Sequence, residues 1–134
     1  MPSWREVICL EVTREEVGKY LCDVKTSVKA GRYVIAPRPK NQSLYINYVF
    51  PERLTKEILL DLKVDDFSDA VQNDHPQHPK EILYIFGKEV DLLPKAGGEA
   101  EKVALYIKFN KLENLFLIVI SFHKQDYPLK YKFK

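Results

Sequence analysis

A chain of 134 residues, 46% hydrophobic and 30% charged, has the size of one ordinary globular domain that buries its own core, and residues 1–134 read as a single domain. No apolar run approaches the ~20 residues of a membrane-spanning helix, and the start MPSWREVICLEV lacks the basic-then-apolar layout of an export signal, so no membrane association and a cytoplasmic location are expected. The net charge of +2 is too small to demand a polyanionic partner, which leaves the question to how the charges are distributed.

In chain order, helices come first and strands later. Thr13 and Glu16 have the spacing of a capping box, and Val17, Tyr20, Leu21, Val24 and Val28 recur at helical spacing up to Gly31, so a helix is expected from about Arg14 to Ala30. Cys9 and Cys22 are too few for a zinc site or a disulfide framework and read as reduced, buried thiols. The stretch RYVIAPRPKN, Arg32 to Asn41, holds two prolines and reads as an extended connection with accessible arginines. Pro51 suits a first helical position, Leu54, Ile58, Leu59 and Leu62 line one face of a second helix ending near Lys63, and Asp65 or Asp66 starts a short third.

The polar segment DHPQHPK carries His75 and His78, which read as loop residues because no further ligands stand at metal-binding spacing; neither a metal nor a cofactor is expected. Three runs rich in β-branched and aromatic residues follow: Ile82 to Val90, Val103 to Asn110 and Leu115 to Phe122. They predict an antiparallel meander, joined by a flexible loop over Leu93 to Glu101 and a short connection over Lys111 to Asn114. The expected class is α+β, with N-terminal helices on one face of a C-terminal antiparallel sheet.

A hairpin pairing Asn110 with Leu115 sets Lys108 opposite Leu117 and Tyr106 opposite Val119. Tyr106, Lys108, Ser121 and His123 then share the wetter face, while Leu105, Ile107 and Phe109 join Phe116, Ile118, Ile120 and Phe122 on the face that packs against the helices. The wetter set suits phosphodiester cleavage, which needs a base for the 2′-hydroxyl, a cation for the phosphorane and an acid for the leaving oxygen. His123 can exchange a proton, Lys108 can supply charge, and Tyr106 can donate a hydrogen bond or stack on a base. Two basic stretches flank an acidic one. The first holds Lys29, Arg32, Arg38 and Lys40, and the second Lys124, Lys130, Lys132 and Lys134 interleaved with Tyr127, Tyr131 and Phe133. Arg32, Arg38, Lys130 and Lys132 are the candidate RNA-backbone contacts.

The stretches VKTSVKAGRYVIAPRPKN, LLDLKVDDF, YIFGKEV, LYIKF and VISFHKQDYPLKYKFK, in this order, resemble the MqsR family of toxins from type II toxin–antitoxin modules. The pairing of YIK with ISFH is the most specific element. The resemblance implies a RelE-like ribonuclease fold and an mRNA endoribonuclease, restrained by an antitoxin that is a zinc-binding or helix-turn-helix protein. Residue by residue, the family's strand tyrosine falls on Tyr106, the lysine after it on Lys108, and the basic residue after the Ser-Phe pair on His123. The chain departs from the family where some members carry a lysine after the Asp-Phe pair, since it has Ser68 and Asp69, and where they carry a glutamine, since it has Ile85. Lys88 or Arg32 is expected to stand in for the missing cation. The alternative is a catalytically impaired relative that binds RNA or a protein partner through the same surface.

Overall fold

The structure, a computed structural model, describes residues 10–73 and 81–134. Cys9, His75 and His78 lie outside the described residues, and so do the expectations attached to them. Helix α1 spans Arg14–Lys29 and starts as its capping box requires: the Glu16 amide donates to Thr13 Oγ1 at 3.1 Å, and the Thr13 amide donates to Glu16 Oε1 at 3.0 Å. Its buried stripe is Val17, Tyr20, Leu21, Val24, Ser27 and Val28, and it stops at Gly31, whose φ of 72° suits a residue without a side chain. Cys22 is exposed, contrary to expectation, because it falls outside that stripe.

The segment after α1 is more structured than its prolines suggest. Strand β1 occupies Tyr33–Ile35, and helix α2, Pro39–Asn47, begins at the second proline rather than being excluded by it. Proline is tolerated there because the first-turn amide it lacks would have no helical partner. Helix α3 spans Glu52–Leu60 with Pro51 just before it, and a single 3₁₀ turn covers Val64–Asp66.

Among the described residues the protein is α+β, with three helices in its N-terminal half and a five-stranded sheet in order β1-β5-β4-β3-β2. The other strands are β2 at Phe67–Gln72, β3 at Ile82–Leu92, β4 at Glu101–Lys111 and β5 at Leu117–Lys124. The central meander is antiparallel as expected, but the sheet is mixed, since β1 adds in parallel to β5 with Tyr33 beside Leu117. Both edge strands escaped the sequence reading: β1 is only three residues long, and β2, FSDAVQ, is interrupted by Ser68 and Asp69 with a register shift between Phe67 and Asp69. Among the described residues, no helix is long and apolar enough to cross a membrane.

The β4–β5 register corrects the expected hairpin. Tyr106 pairs with His123 and Lys108 with Ser121, then a bulge skips Ile120 and Phe109 pairs with Val119, Asn110 with Ile118. The extra residue reverses the alternation of the first half of β5, so Leu117 and Val119 are fully buried and Ile118 is not. Past the bulge, Phe122 returns to the core. The core lies between the sheet and the helices, where Phe67, Phe86, Phe109 and Phe122 are fully buried and Phe86 meets both Phe67 and Phe109 at 5.7 Å between ring centroids. Truncating any one of these rings to alanine costs about 3–5 kcal/mol.

The chain after β5 returns over the other face of the sheet. The Gln125 amide donates to the Ala104 carbonyl at 2.8 Å, Ser68 Oγ donates to the Lys130 carbonyl at 2.7 Å, and the Lys132 amide donates to the Phe67 carbonyl at 3.2 Å. Gly87 permits this crossing, because a Cβ there would lie 2.8 Å from Gln125 Nε2 and 2.9 Å from a Leu129 methyl.

Candidate active site

Strand pairing sets two rows of side chains across the face opposite the helices. One row runs Asp69, Ile85, Lys108, Ser121, and the next runs Gly87, Tyr106, His123. A cleft of about 270 Å³ opens over the β4–β5 half of these rows, lined by Arg38, Lys40, Tyr106, Lys108, Ser121, His123, Asp126 and Tyr127. The three candidates read from the strand face therefore meet in one place, with cations added from the start of α2 and an acid and a tyrosine from the chain after β5.

The bulge in β5 holds the two sides of the cleft together through Asn41 in the first turn of α2. Asn41 is fully buried, and its Nδ2 donates to the carbonyls of Ala36 and Ile120, each at 2.9 Å, while its Oδ1 accepts from the Phe122 amide at 2.9 Å. One side chain thus serves strand groups at the irregularity and ties α2, with Arg38 and Lys40, to the strand that carries Ser121 and His123.

His123 is 8% exposed, and its ring lies nearly parallel to that of Tyr106, with centroids 5.3 Å apart and planes 11° apart. Its Nδ1 sits 2.8 Å from the Lys124 carbonyl, which only accepts, so Nδ1 carries a proton and Nε2 is the nitrogen left to exchange one. Burial pushes the Tyr106 phenol above its ordinary range, and Tyr127, Asp69 and Asp126 add to the shift. Tyr106 therefore stays protonated at neutral pH, which suits its hydroxyl to donate a hydrogen bond and not to accept a proton. At the mouth, Asp126 is ion-paired with Lys40, whose hydrogen bond holds the carboxyl below the usual carboxylate range.

The other candidates are placed elsewhere. Lys88 belongs to the helix side of the sheet, where its Nζ lies 3.0 Å from Asp61 and 3.6 Å from Asp66, so it ties β3 to the end of α3 and the 3₁₀ turn and cannot replace a cleft cation. The acidic stretch is thus partly structural, with Asp65 also bonding Arg14 at 3.2 Å. Arg32 donates to the Asn114 carbonyl at 2.8 Å beyond the cleft. Lys130 and Lys132 lie beside β2, Lys132 paired with Glu11 at 3.2 Å, so of the four expected RNA contacts only Arg38 lines the cleft. Sequence reasoning singled out none of Lys40, Asn41, Asp126 and Tyr127, although Lys40 and Tyr127 fall in the two basic stretches. The signal for Lys40 and Asn41 was Pro39 as a helix start. Among the described residues, no group of three or more histidines, cysteines or carboxylates is arranged to hold a metal ion. Comparison of the chain with protein-family models, with curated proteins and with solved structures finds no match in any of the three.

Proposed function

We propose that the protein is a metal-independent endoribonuclease that cleaves single-stranded RNA by attack of a ribose 2′-hydroxyl on the adjacent phosphorus. The observation that carries this reading is the convergence of Tyr106, Lys108 and His123 in one cleft beside Arg38 and Lys40. His123 Nε2 takes the proton of the 2′-hydroxyl, the 2′-oxygen bonds to phosphorus, and the bond to the 5′-oxygen breaks, leaving a 2′,3′-cyclic phosphate and a 5′-hydroxyl end. Lys108 and Arg38 offset the charge that builds on the phosphoryl oxygens, and the Tyr106 hydroxyl donates to the departing 5′-oxygen. The cellular role proposed with it, from the resemblance to MqsR toxins, is that of an mRNA interferase whose growth-arresting activity is restrained by a cognate antitoxin, a zinc-binding or helix-turn-helix protein.

A specific observation favours the second reading, an RNA-binding relative with little cleavage. Asp69 occupies the Lys108 row, and Lys88 is committed to carboxylates on the other side of the sheet. One assay separates the two. Purified protein is incubated with a single-stranded RNA in EDTA, and cleavage with 5′-hydroxyl and cyclic phosphate ends is the expected result. Activity lost to chelator and restored by a divalent ion would overturn the metal-independent chemistry, and binding without cleavage would leave the second reading.

A further inference from the structure

Tyr127 is 69% exposed, yet it does not sit on slack chain. On one side Gln125 is anchored to the sheet, its amide to the Ala104 carbonyl at 2.8 Å and its Nε2 to the Leu105 carbonyl at 3.0 Å. Gln125 Oε1 also accepts from the Leu129 amide at 3.2 Å, closing the loop that contains Tyr127. Asp126 is tied to Lys40 across the cleft, and Pro128 restricts the backbone on the other side. A large aromatic held on a pinned loop and left largely open to solvent already has part of its ordering cost met, which favours a ligand that offers a flat face. The cations lining the same cleft, Arg38 and Lys40, suit a phosphate at the other end of that ligand.

Resting on the RNA reading above, we propose that Tyr127 is the base-stacking platform of a nucleotide subsite, with the base on its ring and the adjoining phosphate toward Arg38 and Lys40. The ligand class is single-stranded RNA with unpaired bases, because in a duplex both faces of each base are already covered. Stacking needs only a π-face, so the subsite tolerates any base, and the phosphate displaces Asp126 from Lys40 as it binds. The cleft then holds the nucleotide by one face and one charge, a recognition mode that a bare polyphosphate cannot satisfy.

The test uses the full chain and two short, 2′-O-methylated single-stranded RNAs that cannot be cleaved and carry equal charge, one with bases and one abasic at its internal positions. Fluorescence anisotropy should show the base-bearing strand binding about 10-fold more tightly. Tyr127→Ala should bring the two affinities together, and Tyr127→Trp should keep them apart. Circular dichroism of each variant checks that the fold is kept, as its exposure implies. A preference that survives in Tyr127→Ala, or a wild-type protein that does not distinguish the strands, overturns the subsite while leaving RNA binding intact. A wild-type protein that binds neither strand overturns the RNA reading and the subsite with it.

Discussion

At the scale of single residues, burial and partners separate groups that look alike in the chain. Lys88 and Lys108 both lie in strands rich in apolar residues, but Lys88 bonds carboxylates at the helix layer and Lys108 lines the cleft. His123 is the sharpest case. Its ring is buried against Tyr106 and its Nδ1 faces the Lys124 carbonyl, so an alanine there would open a cavity as well as remove the proposed base. Glutamine is the better probe, because its amide can still donate to that carbonyl but cannot exchange a proton. His123→Gln is expected to lower the rate of RNA cleavage ~10²–10⁴-fold with RNA affinity and melting temperature near wild type. Undiminished cleavage would move the proton transfer to another group, and a variant that unfolds would mark the histidine as structural.

At the scale of elements, the junction of α2 with the β5 bulge decides what the cleft contains. Asn41 supplies all three hydrogen bonds of its amide to main-chain groups of Ala36, Ile120 and Phe122. Asn41→Leu is expected to cost about 2–4 kcal/mol in urea unfolding, because those buried groups lose their partner and leucine offers none. Asn41→Asp keeps an acceptor for the Phe122 amide but sets a carboxylate against two carbonyls, so it should cost at least as much at neutral pH. A loss below about 1 kcal/mol for both variants would show that water or a shift of α2 replaces the amide. Little of this was legible beforehand. Ile120 continues an apolar run without a break, so nothing marks it as the residue that the ladder skips, and the expected pairing was already out at the turn, where Asn110 meets Ile118 instead of Leu115.

At the scale of the whole molecule, phenols in different parts of the fold are shifted in the same direction. Burial pushes Tyr20, Tyr45, Tyr84 and Tyr106 above the ordinary tyrosine range, most strongly Tyr20, which stacks on Tyr84 with centroids 3.7 Å apart. In the unfolded chain these groups ionise near pH ~10, while the folded protein keeps their protons to higher pH. Their contribution to stability is therefore fully present below about pH 10 and falls as pH rises above it, because the unfolded state then binds fewer protons. The melting temperature should drop steeply above pH ~10 together with the rise of tyrosinate absorbance, and Tyr20→Phe should flatten that drop. Tyrosines that titrate in the ordinary range while the fold persists would contradict it.

The same scale divides what the sequence determined by itself from what the tertiary structure decided. Helix α1, its capping box and its buried stripe, the three long strands, and the common face of Tyr106, Lys108, Ser121 and His123 follow from local periodicity, because the spacing of apolar residues records which side meets the core. The parallel pairing of β1 with β5, the bulge at Ile120, the docking of α2 through Asn41 and the return of the chain over Gly87 join residues far apart in sequence. Such contacts are made by backbone groups, single amides and ion pairs, which have no period to read. They decided which cations reach the cleft: Arg38 and Lys40 do, while Arg32, Lys88, Lys130 and Lys132, equally basic in the sequence, are held elsewhere.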